Sequence, residues 1–492
     1  MLKIIVTLGA IQVITILAAM MRAKILAVLL GPSGVGVLSV VDQVFQLVSY
    51  VCAFSLPYAS VKFLSRAHSQ GHERFQGTYV GLLRLLLLLS MTGAILGLTV
   101  VIFAPALLGS PLADYRLYLI PAFIGIPAAS LNSFFGGTLA AAARPRTSTV
   151  VSLIGALCLM VAAVVGVLVG GIAGLYWSNL FVIVLLALSL SFYLRRSLDL
   201  PIRAANGAIR QAFRDNPDVI GYSLILYVTS FASSGSLLMV RYALLRSFGE
   251  AQTGLLQSAI SLAGALILVL SPINGMFLAP ILNRDIPKAA KLSAALEFLT
   301  KLVPVVGALA APLILFPQLV LIVLYSPAFV AVAPLVFLFV VAQVLSALDG
   351  VYQSLLIGFD DLKVYGAVTV LGFVVTGAGS WLLAPEYGIV GVGLSFLVGN
   401  LLTFGLLFFR LTTRHRMVAS SRLNLSMAYL ILTLVSAGFL VGPLDPWQPV
   451  VLLLKVILYG AFLASLVMLT SREELRRLLD QGRVLLATGA SR

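Results

Sequence analysis

Apolar runs of membrane-crossing length follow one another along almost the whole chain, separated by short stretches carrying Gly, Pro, Lys and Arg. A helix needs ~17 to 25 residues to cross a hydrocarbon core. Runs of about this length lie at 4–30, 35–60, 78–104, 117–140, 148–169, 172–194, 219–246, 253–279, 293–316, 332–356, 364–384, 389–410, 425–441 and 450–470. The pattern predicts an all-α integral membrane protein of about fourteen transmembrane helices. The pair meeting at Gly170 and Gly171, and the run interrupted by Pro304 and Pro312, are the least regular. Lys3 before an apolar run resembles the start of a signal peptide. No small-residue cleavage site follows, and hydrophobicity continues past Arg22 to Leu30, which predicts a retained first helix.

The runs repeat. A shift of 218 lays Gly31, Gly36 and Leu38 on Gly249, Gly254 and Leu256, and brings Arg22 within one residue of Arg241. A shift of 217 lays Arg84 on Lys301, Asn132 on Asp349, and Gly171, Ile172 and Gly174 on Gly388, Ile389 and Gly391. Each half holds six spans, an even number, so the halves share one orientation about an axis along the membrane normal. The expected organisation is two parallel six-helix lobes, 1–194 and 219–411, around a central cavity. A basic linker, 195–218, broken by Pro201 and Pro217, joins them, and two further helices occupy 412–470. In the tail, 471–492, Ser471 and Glu474 form a capping box, and Leu475, Leu478 and Leu479 oppose Arg472, Arg476 and Arg477. That segment reads as a cytoplasmic amphipathic helix on the inner leaflet.

Composition narrows the class. Of 492 residues 61% are hydrophobic and 10% charged, with mean hydropathy +1.10, whereas a soluble domain carries roughly 25% charge. The net charge of +15 comes from Lys and Arg in alternate loops, while the opposite set holds only Arg116 and Arg246. This asymmetry places both termini in the cytoplasm and is topology rather than a nucleic-acid footprint. Cys52 and Cys158 lie in apolar runs and the three histidines in basic loops, so neither a disulfide framework nor a metal site is legible. The glycines of Gly31-Pro32-Ser33-Gly34-Val35-Gly36 match neither a dinucleotide fingerprint nor a phosphate loop; the segment is a turn between spans. No catalytic constellation or cofactor motif is present.

Charge inside the spans carries the functional argument. Arg22, Lys24, Arg84, Arg241, Lys301 and Lys455 fall within them, against Asp42 and Asp349. Counted from the Gly31–Gly34 turn, Arg22 and Asp42 both lie ~12 to 14 Å below the same surface. Lys455, near a helix end, is expected to snorkel to the interface. The remaining excess of positive charge would cost roughly 8 to 10 kcal/mol in lipid, and a hydrated cavity removes most of that. The candidate substrate-binding residues are Arg22, Arg84, Arg241 and Lys301. Asp42, Gln46, Gln257 and Asp349 are candidates for a polar cavity face or for H⁺ or Na⁺ coupling. Competing readings stay open: an Arg22–Asp42 bridge pinning two helices, Lys301 paired with Glu297 or Asp349, Arg84 snorkelling, and Ser and Gln joining helices.

At this point the segments RAKILAVLLGPSGVGVLSVVDQ and RYALLRSFGEAQTGLLQSAIS, with two six-helix lobes and two extra helices, resemble the Wzx-type polysaccharide flippases of the multidrug/oligosaccharidyl-lipid/polysaccharide (MOP) exporter superfamily. The resemblance implies alternating access by rocking lobes. It also implies transfer of an undecaprenyl-diphosphate-linked oligosaccharide to the outer leaflet of the bacterial plasma membrane, in O-antigen or related lipopolysaccharide assembly. Membrane lipids and the polysaccharide polymerase and chain-length machinery would be its partners. The alternatives are a lipid II flippase, whose last helix pair shapes a lipid groove, and a cation-coupled drug exporter, whose cargo calls for acids in excess. A polymerase or ligase needs a large outer loop that this chain lacks.

Overall fold

The computed structural model describes residues 2–200, 214, 219–282 and 286–469. Most of the expected linker and the whole expected amphipathic tail, 471–492, lie outside the described residues. Nearly all of what is described is helix, with no strand among the described residues. The long elements are α1 (Leu2–Ala53), α2 (Leu56–Ser69), α3 (His72–Phe103), α4 (Arg116–Ala141), α5 (Pro145–Leu198), α6 (Val219–Ile273), α7 (Lys288–Leu315), α8 (Pro317–Leu324), α9 (Val336–Gly358), α10 (Leu362–Arg414), α11 (Ser421–Leu440) and α12 (Pro449–Leu469). Among the described residues, ten helices are long and apolar enough to cross a membrane. Leu96, Val169 and Leu382 leave 68%, 85% and 71% of their surface exposed, as lipid-facing side chains do.

Four of these helices, α1, α5, α6 and α10, run to 52, 54, 55 and 53 residues, about twice a bilayer's thickness. Each is broken at glycine. Gly31 (φ 66°, ψ −173°) and Gly249 (φ 78°, ψ −172°) adopt one conformation, and Gly171 (φ 59°, ψ −145°) and Gly388 (φ 56°, ψ −134°) adopt a second. Both lie in territory that is essentially restricted to glycine. The two pairs are those that the repeat aligns, so the register read from sequence reappears as backbone geometry.

Other elements differ from expectation. The second predicted span, 35–60, ends at Ala53, because Pro57 has no N–H and its ring would strike the carbonyl four residues back. The chain bends at Phe54 and Ser55, with φ of 50° and 51°, before α2 begins. Two successive non-glycine residues in this region cost about 1 to 2 kcal/mol each. The run 253–279 stops being α-helical at Ile273 and continues as a π-helical turn, Asn274–Leu278. By contrast, α7 continues through Pro304 and Pro312.

The chain forms two compact units, Met1–Gly254 and Leu255–Arg492. In the first, α4 and α5 pack together, with α1 against α5 and α2 and α3 against α4. The second half of α1 buries Val37, Val40, Val41 and Val44 at helical spacing and leaves Asp42 and Gln46 exposed. The turns after Gly31 and Gly249 meet backbone to backbone. A Cβ on Gly36 would lie 2.0 Å from the Glu250 carbonyl oxygen, and one on Gly254 would lie 1.9 Å from that of Pro32.

In the second unit, α9 packs on α10 and α7, and α11 and α12 lie against α7. Lys455 does not snorkel. It is fully buried and donates to the carbonyls of Gly442 at 3.3 Å and Leu444 at 2.8 Å, in the chain following α11. Those carbonyls have lost their helical partners, and the ammonium supplies them. Between α9 and α10, Arg410 donates Nε and Nη2 to Asp361 Oδ2 at 2.9 and 2.8 Å, and the His415 ring lies 3.3 Å from the same oxygen. Burial alone would push the Asp361 carboxyl up, but the hydrogen bonds from Arg410 and then His415 outweigh it and hold it below the usual carboxylate value.

Two outcomes follow. Gly36→Ala should destabilise the purified protein by about 2 to 3 kcal/mol. Gly77→Ala, in α3 with nothing within 4 Å of the added methyl, should be neutral or stabilising by about 0.5 to 1 kcal/mol. Melting curves in detergent compare them. Because folding lowers the Asp361 pKa, its contribution is present above the unfolded value near ~4 and is lost as pH falls through the folded value. Asp361→Asn should therefore lower the melting temperature at pH 7, and the gap to wild type should close below about pH 4.

Candidate functional site

Within the first unit the structure assembles a charged cluster from helices far apart in sequence. Asp42 lies on the exposed face of α1, opposite the buried valines. Tyr176, five residues past the Gly171 break in α5, donates its hydroxyl to Asp42 Oδ1 at 2.8 Å, with the Leu38 carbonyl at 3.4 Å. Arg22 and Arg241 both act on the same carboxylate through space. Arg241 is 6% exposed and gives Nη1 to the Leu237 carbonyl of its own helix at 3.1 Å. Arg22 is half-buried; its Nε is enclosed without a hydrogen-bond partner, and no ion pair within 4 Å joins it to Asp42 among the described residues. The bridge reading for Arg22 and Asp42 is therefore not what the structure shows.

The cluster can recognise an anion. Two guanidiniums lie within electrostatic reach of one carboxylate, and a tyrosine already partners that carboxylate. Guanidinium forks match phosphate oxygens in pairs, and a low-dielectric surround strengthens the attraction. Nothing in the constellation supplies a nucleophile with an adjacent base, and no group of three or more metal-binding side chains occurs among the described residues.

The other sequence candidates make contacts of their own. Arg84 is half-buried on α3, which begins six residues before the predicted run and so puts it ~18 Å from the helix start. In the second unit, Lys301 is exposed and bonds Glu297 at 2.5 Å, one turn earlier, which neutralises it. Asp349 is 2% exposed and accepts from Gln353 Nε2 at 2.9 Å. Gln257 donates to Ser261 at 2.8 Å, and Gln46, exposed, to the Tyr50 hydroxyl at 3.3 Å. Gln257 thus spends its donor locally, and Gln46 keeps its place on the open face.

Sequence reasoning missed three contacts. Tyr176 gives its hydroxyl to Asp42 from 134 residues away. Buried Gln43 donates to the Ser234 carbonyl at 3.1 Å and ties α1 to α6. Tyr115 donates to Glu250 Oε1 at 2.8 Å, beside the Gly249 break. Burial, and then the carboxylate, push the Tyr115 hydroxyl up, so it stays the donor. Each residue is a polar group in an apolar segment, which is a signal, but no spacing rule links the partners.

Neither a protein-family model nor a curated protein sequence matches the chain. Solved structures do. An inward-facing multidrug resistance MATE family transporter of the MOP superfamily superposes with TM-score 0.67 at 15% identity, covering 82% of this chain and 96% of that one. The chain has the fold of the MOP superfamily transporters. Lipid II flippase MurJ in an inward closed conformation superposes with TM-score 0.65 at 12% identity, covering 94% of this chain and 99% of that one. A third structure, from Pyrococcus furiosus, is described as a MOP superfamily transporter whose reversed binding-pocket polarity suggests a different function; it has TM-score 0.62 at 17% identity over 83% of this chain and 95% of that one. Within the MOP fold, the α1 cluster sits on a helix face that presents an acid and an amide, which hydrocarbon would penalise.

Tyr176→Phe removes a hydrogen bond to a charged acceptor and should lower stability by about 1.5 to 3 kcal/mol, read as a fall in the detergent unfolding midpoint. An unchanged midpoint would show that the Tyr176–Asp42 contact does not hold α1 to α5.

Proposed function

We propose that the protein is a flippase carrying an undecaprenyl-diphosphate-linked oligosaccharide from the inner to the outer leaflet of a bacterial inner membrane. The observation that carries this reading is the α1 cluster, in which Arg22 and Arg241 act on the one carboxylate of Asp42. A diphosphate offers two negative charges and paired oxygens to those guanidiniums, and Asp42 with Tyr176 sets the geometry that receives it. Arg84 adds positive charge along the path, while Lys301, held by Glu297, contributes little until that pair opens. Gln46, Gln257 and Asp349 supply polar lining, and Asp42 or Asp349 could carry a coupling H⁺ or Na⁺.

In this reading each glycine break is a turn at a membrane surface, which converts ten long helices into fourteen crossings. The crossings group as lobes 1–194 and 219–411 around a chamber, with 412–470 outside them, a basic linker at 195–218 and both termini cytoplasmic. The backbone contact between the Gly31 and Gly249 turns acts as the closed outer gate. Helices α11 and α12 support a lipid cargo. With α7 they line an open apolar groove of about 210 Å³ at Ile314, Leu434 and Phe462, which suits part of a polyprenyl chain. The MurJ structure also covers 94% of this chain, where the MATE structure leaves almost a fifth unmatched. A drug exporter for cationic cargo is disfavoured by the sign of the cluster. Polymerase and chain-length proteins of polysaccharide assembly would act next on the product.

Replacing Arg22 or Arg241 by Ala should reduce export of surface polysaccharide in the native bacterium by at least about tenfold, since loss of one charge-assisted contact is worth about 1.5 to 3 kcal/mol. Immunoblots for protein and surface glycan check it. Normal export at normal protein level would overturn the proposal.

A further inference from the structure

The exposed stripe that begins at Asp42 continues past the cluster. Gln46 and Tyr50 follow at four-residue steps and are tied by the Gln46–Tyr50 hydrogen bond. At the next step the backbone bends through Phe54 and Ser55, both in the left-handed region. That bend distributes the aromatic rings into two short ladders. Tyr50 and Tyr58 lie 6.1 Å apart, tilted by 51°. Phe54 stacks on Tyr227 of α6 at 4.8 Å, and Tyr227 on Phe231 at 6.2 Å. Tyr58 and Phe231 remain 56% and 47% exposed, so both ladders end in open ring faces. A face bearing Asp42 and Gln46 opens to water rather than lipid, because hydrocarbon would leave both groups unsolvated. Phe54 on Tyr227 joins the end of α1 to α6, whereas the open rings of Tyr58 and Phe231 on a wet face serve no helix packing. The next charge along the stripe is exposed Lys62, a turn beyond Tyr58, with its ammonium 4.4 Å from the Tyr222 ring centre.

We infer that this track, Gln46, Tyr50, Phe54, Tyr58, Tyr227 and Phe231, binds the sugar portion of the cargo by stacking pyranose rings on the aromatic faces. This rests on the reading of the protein as a lipid-linked oligosaccharide flippase and adds where the glycan lies. Pyranose rings present an apolar face of axial C–H groups, which suits the electron-rich face of Tyr and Phe. Their hydroxyls take the Gln46 amide and the tyrosine hydroxyls. The six track residues are uncharged and Lys62 lies a turn beyond Tyr58, so the track accepts neutral or acidic sugars, and it reads ring faces more than hydroxyl patterns, so it tolerates varied glycans. Diphosphate recognition by Arg22 and Arg241 and glycan recognition by the aromatic track are then separate parts of one site in the first unit.

The test uses the full-length chain in detergent with three probes: farnesyl diphosphate, the same lipid bearing one N-acetylglucosamine, and the same lipid bearing four. Wild type should bind the four-sugar probe about tenfold more tightly than the one-sugar probe. Tyr58→Leu with Tyr227→Leu should abolish that preference and leave farnesyl diphosphate affinity unchanged, which also certifies the fold. Tyr58→Phe with Tyr227→Phe, keeping the ring faces, should retain it. Equal affinity for one- and four-sugar probes, or a preference that survives in the leucine variants, overturns the inference while leaving the flippase reading standing if farnesyl diphosphate still binds. Failure of wild type to bind any of the three overturns both.

Discussion

A charged side chain persists inside a membrane helix only where water or an opposite charge meets it, and Asp42 with Arg22 and Arg241 is where this chain meets that condition. The carboxylate is exposed, a tyrosine from α5 already bonds it, and two guanidiniums share its field. Burying valines on the other face of α1 fixes which way Asp42 points. The hydrophobic pattern of one helix thereby sets the electrostatics of the site.

The glycine breaks make the cluster possible. Without Gly31, α1 would run straight for 52 residues, and Arg22 could not lie at the depth of Asp42 on the returning segment. Without Gly171, Tyr176 would sit beyond the other end of α5. The close contact of the Gly36 and Gly254 backbones then brings the helix of Arg241 alongside. Backbone freedom at a few residues, rather than any strong pairwise bond, positions three charges drawn from two repeats.

Much of this was legible in the sequence. Helix content, the turns at Gly31, Gly170–Gly171, Gly249 and Gly388, and the shift relating them follow from hydropathy and glycine spacing, because bilayer thickness and positive φ leave few options. Arg22, Asp42 and Arg241 were singled out from depth alone, and the structure brings them into one electrostatic cluster. What stayed hidden depended on long-range packing. Tyr176 reaches Asp42 through a helix fixed by tertiary contacts, and Lys455, expected to snorkel, turns inward to the Gly442 and Leu444 carbonyls after α11, the first of which also accepts from Gln318. The bend at Phe54 and Ser55 was signalled by Pro57, but neither residue type announces a left-handed conformation. Of the two partners the sequence offered Lys301, Glu297 one turn earlier is the one it takes, while Asp349 accepts from Gln353 on its own helix.

The central claim is that the α1 cluster is an open anion receptor in which Asp42 partly offsets two guanidiniums, rather than a closed network that pins helices. Equilibrium binding of farnesyl diphosphate to purified Asp42→Asn measures this most directly. An amide of the same shape removes the only negative charge among the three, so the account predicts binding several-fold tighter than wild type, with the advantage shrinking as salt is raised. Unchanged or weaker binding, in a variant that melts like wild type, would contradict it.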